Sequence, residues 1–123
     1  MEVTITAGTV RMSATLNDTS SAKAVWDALP LEGAANVWGD EIYFEVPVTL
    51  DEAPDARQDV AVGELAYWPP GRAFCIFFGP TPVSTGQQPR AYSPVNVFGR
   101  IGGDVAALKG IADGEDVRVE RAE

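Results

Sequence analysis

Histidine is absent from the 123 residues, and cysteine occurs once. Without histidine there is no Ser-His-Asp or Cys-His nucleophile system, no histidine general base and no histidine metal ligand. A carboxylate-only calcium or magnesium site has no loop signature here. No metal and no cofactor is therefore expected. The single Cys75 rules out an internal disulfide. It sits in Phe74-Cys75-Ile76, where a buried, inert thiol is the ordinary role.

Basic residues are scarce as well. Nine lysines and arginines face 18 acids, for a net charge of −9, with no basic run to offset it locally. Such a field repels nucleic acid and anionic membrane surfaces, so neither is an expected partner. No apolar run reaches membrane-spanning length. Met1-Glu2-Val3-Thr4 opens like a strand and not like a basic, apolar leader, so a cytoplasmic location is expected.

What is abundant is turn chemistry. Twelve glycines and nine prolines in this length predict short elements and a β-rich chain. The length itself predicts a single domain over residues 1–123. Glu2 to Thr6 and Thr9 to Leu16 alternate as two strands around Ala7-Gly8. Asn17-Asp18-Thr19-Ser20 is a helix start. Ala22, Val25, Trp26 and Leu29 then share one helical face, Trp26 reads as the helix's anchor, and Pro30 stops it. Leu31 to Gly33 reads as a loop. Gly39-Asp40 is a hairpin turn, after which Ile42, Phe44 and Val46 face inward and Glu41, Tyr43 and Glu45 face outward. Thr49 to Gln58 reads as an acidic surface loop, with a short strand at Asp59 to Val62.

The central stretch runs from Gly63 to Gly102. Tyr67-Trp68-Pro69-Pro70-Gly71 sets two aromatics against a stiff turn. Ala73 to Phe78 is an unbroken apolar run suited to a strand buried on both faces. A polar loop spans Thr81 to Ala91, and Val95 to Ile101 is a strand with an internal glycine. Asp104 opens a second short helix to Ala112, and Asp116 to Glu120 is the last strand. About eight strands and two short helices predict a mainly β fold, a closed barrel with helices plugging its ends.

Val97-Phe98-Gly99-Arg100-Ile101, followed by Asp104-Val105, resembles the cyclophilin segment before that fold's second helix. Tyr67 to Gly71, Phe77 to Pro82 and Val97 to Gly99 resemble strings of a small prokaryotic cyclophilin-like family of unassigned function. The resemblance runs nearly the full length and implies a closed cyclophilin-like barrel. It departs from the isomerases at the chemistry. Where they carry an arginine that polarises the proline amide, this chain carries Glu45, and the active-site histidine has no counterpart. The Met-Ala-Asn segment of their cleft is replaced by Tyr67-Trp68-Pro69.

Tyr43, Glu45, Tyr67, Trp68, Arg72 and Phe77 are the expected ligand-binding residues, and no catalytic residue is expected. Each has a plainer use: Glu45 and Arg72 as surface ions, the aromatics as core or rim. The expected function is a binding module. It would hold a small molecule or an extended peptide in an aromatic cleft with a carboxylate, without efficient prolyl isomerase activity. The alternative is a peptidyl-prolyl cis-trans isomerase with altered catalytic residues.

Overall fold

The computed structural model describes residues 1–122. β1 (Glu2–Ala7) and β2 (Val10–Leu16) form an antiparallel hairpin. Val3, Ile5, Ala7, Ala14 and Leu16 lie on its buried face. Helix α1 (Ser20–Ala28) follows, capped by Thr19, whose Oγ1 accepts from the Ala22 amide at 3.1 Å. Ala22 and Val25 are buried beneath it. Trp26, the expected anchor, packs against the main core but is only half-buried, and the Arg121 guanidinium lies 4.4 Å over its ring.

Eight more strands follow: β3 (Leu31–Ala34), β4 (Asn36–Val37), β5 (Glu41–Glu45), β6 (Arg57–Asp59), β7 (Glu64–Trp68), β8 (Ala73–Phe77), β9 (Arg90–Ile101) and β10 (Asp116–Arg121). The sheet runs β3-β10-β1-β2-β9-β7-β8-β5-β4, with β6 added against β9. The fold is mainly β, as expected, but two details of the expectation are corrected. Among the described residues the sheet has ten strands and is not closed into a barrel. Its two end strands, β3 and β4, are consecutive in sequence and separated by Ala35 alone. The chain itself crosses the seam, so no ladder forms there. Ala35 instead bonds to the far side: its amide donates to Glu115 O and its carbonyl accepts from Gly114 N, both at 2.8 Å.

The second correction concerns the expected helix from Asp104 to Ala112. Only a five-residue 3₁₀ segment forms, Ala106–Gly110. Leu108 within it and the flanking Val105 and Ile111 recur every third position, the period of a 3₁₀ turn and not of an α-helix. Leu108 is fully buried.

Three strands differ from the sequence reading in extent, and one of them is β6, which covers Arg57–Asp59 and not Asp59 to Val62. Leu31 to Ala34 is a strand on β10 and not a loop. β9 begins at Arg90, inside the stretch read as a polar loop, and runs through Pro94. It does so because its first half pairs with β6, through Arg57↔Val95 and Asp59↔Arg90. The ladder breaks register there, which accommodates a residue lacking an amide donor.

β8 fixes where the site falls. All five of its residues are buried. Phe74 and Ile76 point into the main core with Phe44, Leu65 and Phe98. Ala73, Cys75 and Phe77 point the other way, into a second apolar cluster with Val60, Ala66, Ala91 and Val95. The outer face of this part of the sheet is thus itself covered.

Candidate functional site

The covered outer face holds a cavity of about 170 Å³ lined by Trp38, Glu41, Tyr43, Trp68, Ala91, Tyr92 and Val95. Its floor comes from strand alternation. In β5, Glu41, Tyr43 and Glu45 point outward, and they pair with Phe77, Cys75 and Ala73 of β8. Trp68 stands on the same face of β7, opposite Ala73.

The walls are set by turns. Trp38 precedes a two-residue hairpin in which Trp38 N and Glu41 O, and Glu41 N and Trp38 O, bond at 2.9 and 3.1 Å. Gly39 takes φ +59° there, and a Cβ at this position would lie 3.0 Å from the Thr81 Cα and 2.8 Å from Pro82. Only glycine lets the turn lie against the segment after β8. Trp68 is fixed from both ends. Its indole donates to Ser93 Oγ at 2.7 Å, and its ring lies over Gly71, where a Cβ would be 2.6 Å away. Tyr92 stands between the two indoles, edge-to-face with Trp38 (6.2 Å, 70°) and with Trp68 (6.1 Å, 85°). These are preferred aromatic geometries. Yet Tyr92 remains 69% exposed, so it forms the rim.

Glu41 is the polar group at the bottom. It is only 6% exposed, and among the described residues no lysine or arginine reaches it as an ion-pair partner. Burial raises its carboxyl from 4.5 to about 7, with the Cys75 thiol pulling it slightly back. The neighbouring thiol, fully buried, is pushed well above its ordinary value by burial and by the Glu41 charge. It also lies 3.8 Å from the Ala73 carbonyl.

The six residues singled out from sequence are divided by the structure. Tyr43 and Trp68 line the cavity. Glu45 and Arg72 pair with each other at 2.8 Å, beside Val46 and Pro47, in a separate shallow groove. Tyr67 and Phe77 have no exposed surface at all. The Tyr67 hydroxyl donates to Val48 O at 2.6 Å and accepts from Leu50 N at 3.2 Å, so it ties the chain after β5 to the core. Phe77 fills the second apolar cluster beneath the outer face. Both are therefore packing residues, because each is enclosed on all sides.

Trp38, Glu41 and Tyr92 escaped the sequence reading as site residues. The available signal was that Glu41 shares a strand face with Tyr43 and directly follows a tryptophan-bearing turn. Among the described residues, no three acidic or cysteine side chains converge as metal ligands would. No described helix is long and apolar enough to cross a membrane.

An antiparallel sheet with one helix packed into its main core, and an apolar cavity on its outer face, fits a cyclophilin-like domain. The profile of the Cyclophilin-like family matches residues 1–120, and the chain belongs to that family. Among solved structures it is similar to the solution structure of the hypothetical protein AF2241 from Archaeoglobus fulgidus. That match has 42% identity and a TM-score of 0.83 over 99% of this chain and 95% of the other. A comparison with proteins of curated function returned no match.

Proposed function

We propose that this protein is a cyclophilin-fold binding module that holds a small molecule, or one side chain of an extended peptide, in the cavity over Glu41. The observation that carries this reading is Glu41 itself. A carboxyl group 6% exposed, unpaired by any described cation and walled by aromatic rings, is costly to fold. Packing alone would be served better by an apolar residue of the same shape. The carboxylate of this reading is Glu41, and not Glu45, whose charge is answered by Arg72 in open solvent.

A cavity of about 170 Å³ suits a small group and is below the range of drug-sized sites, roughly 300–1,000 Å³. A longer ligand would place one end here and lay the rest across Tyr92. The test is an amide and indole NMR titration with a fragment mixture and with short proline-containing peptides. Shifts converging on Trp38, Glu41, Trp68 and Tyr92 support the reading. An absence of shifts, or shifts elsewhere, defeats it.

A further inference from the structure

Resting on that reading, we infer that the cavity recognises a methylated ammonium group, its positive charge set over the Glu41 carboxylate and its methyls packed on Trp38, Tyr43, Trp68 and Tyr92.

Three observations lead there. The first is the shape of the walls. Tyr92 is nearly perpendicular to both indoles, at 70° to Trp38 and 85° to Trp68. Together with Tyr43 these three rings line the space over Glu41, so it is walled by four aromatic side chains. A cation held there packs against aromatic rings, whose quadrupoles attract it.

The second is the charge inventory. Among the described residues, Glu41 is the one carboxylate lining the cavity. The nearby cations are engaged elsewhere: Arg72 with Glu45, Arg90 with Asp59, and Lys109 with Asp40. The ionisable groups that face or adjoin Glu41 are Cys75 across on β8, Tyr43 on its own strand, Tyr92 on β9, and Asp40 in the preceding turn. None of them supplies a positive charge at neutral pH. A ligand's cation would therefore meet an unanswered carboxylate, and the chain's net charge of −9 would draw it in.

The third is the apolar character of the lining. A primary ammonium carries three N–H donors, which favour polar partners over ring faces and aliphatic carbon. Apart from the Glu41 carboxylate and the two tyrosine hydroxyls, the cavity offers rings and aliphatic carbon. A methylated ammonium has few or no N–H groups to satisfy and presents methyls to those rings. An anion would be repelled by Glu41, and a neutral donor would gain a hydrogen bond to the carboxylate but no pairing of opposite full charges.

The experiment compares choline with 3,3-dimethylbutan-1-ol, which has the same shape and no charge. Each is titrated into the full chain at about pH 8, above the Glu41 value of about 7, with indole fluorescence and NMR as readouts. Choline should bind at least about tenfold more tightly than the alcohol, since the Coulombic attraction of its charge to a carboxylate in a partly desolvated site is worth about that factor or more. Glu41→Gln keeps the shape and should erase the preference. Tyr92→Ala removes a mostly exposed rim side chain that packs on both indoles and should weaken choline by about fivefold.

Equal affinity for the two probes overturns the cation assignment. So does a choline preference that survives in Glu41→Gln. Should neither probe bind while fragments or peptides still shift the cavity resonances, the cation assignment falls and the binding-module reading stands. Should nothing shift those resonances, both fall together.

Discussion

Glu41 and Cys75 lie side by side under the aromatic walls, each holding its proton more tightly because of where it is buried. For Glu41 the consequence is a defined pH dependence of stability. Its carboxyl is raised from 4.5 to about 7 in the folded chain. The folded state then binds more protons than the unfolded state between those values, so stability falls as pH rises. The contribution is fully present below about pH 4.5 and is lost as pH climbs through about 7. A shift of this size corresponds to about 3 kcal/mol. Denaturant melts of wild type and Glu41→Gln should diverge by roughly that much between acid and slightly alkaline pH, with Glu41→Gln gaining relative stability as pH rises. A difference that stays flat with pH would show that Glu41 titrates normally.

Cys75 gives a second prediction. The reactive species of a thiol is its thiolate, which burial and the Glu41 charge both disfavour. Cys75 should therefore resist a disulfide-exchange reagent at neutral pH in the native protein and react stoichiometrically once denaturant is added. Rapid modification of the folded protein would place the thiol at the surface.

Tyr67 gives a third. Its hydroxyl serves Val48 O and Leu50 N together from a position with no solvent access. Tyr67→Phe leaves both backbone groups without that partner while preserving the ring. Each orphaned buried group costs about 1–3 kcal/mol, and the shared origin makes the lower half of that range the better expectation for the sum. Ligand-induced shifts at Trp38 and Trp68 should survive the substitution. Loss of binding with unchanged stability would return Tyr67 to the site.

The outcome at β5 shows what the sequence could and could not carry. Alternation from Ile42 to Val46 correctly assigned the two faces, because strand period is a local property. It could not say what lies above the outward face. Glu41 and Glu45 were both expected to face outward and do, yet one is buried and the other exposed. The difference is made by Trp38 and Tyr92, one from the turn before β5 and one far along the chain on β9. Helix α1, the Gly39-Asp40 hairpin and the doubly buried β8 were legible for the same local reason. The open seam at Ala35 and the pairing of β6 with β9 were not, because both depend on which distant strands meet. At the 3₁₀ segment the signal was present but read with the wrong period. Val105, Leu108 and Ile111 are spaced three and three, without the four-residue step an α-helical stripe needs.

The last prediction concerns prolyl isomerisation. Twisting a proline amide breaks its conjugation, and a fixed donor or cation must meet the changing charge. At the resembling position on β5 this chain carries Glu45, an acceptor of the wrong sign when ionised. The guanidinium beside it, Arg72, donates to Glu45 at 2.8 Å, so its charge is already answered. Both side chains are more than half exposed, at 54% and 66%, and water screens what field remains. The expected outcome of a coupled assay on proline tetrapeptides is a rate no greater than the uncatalysed one. The same should hold for Glu45→Ala, which frees Arg72 without giving it a desolvated setting. Turnover in wild type that Arg72→Ala abolishes would make Arg72 the electrophile and establish an isomerase with altered catalytic residues. Turnover gained only in Glu45→Ala would show that the ion pair, and not the setting, holds the activity down.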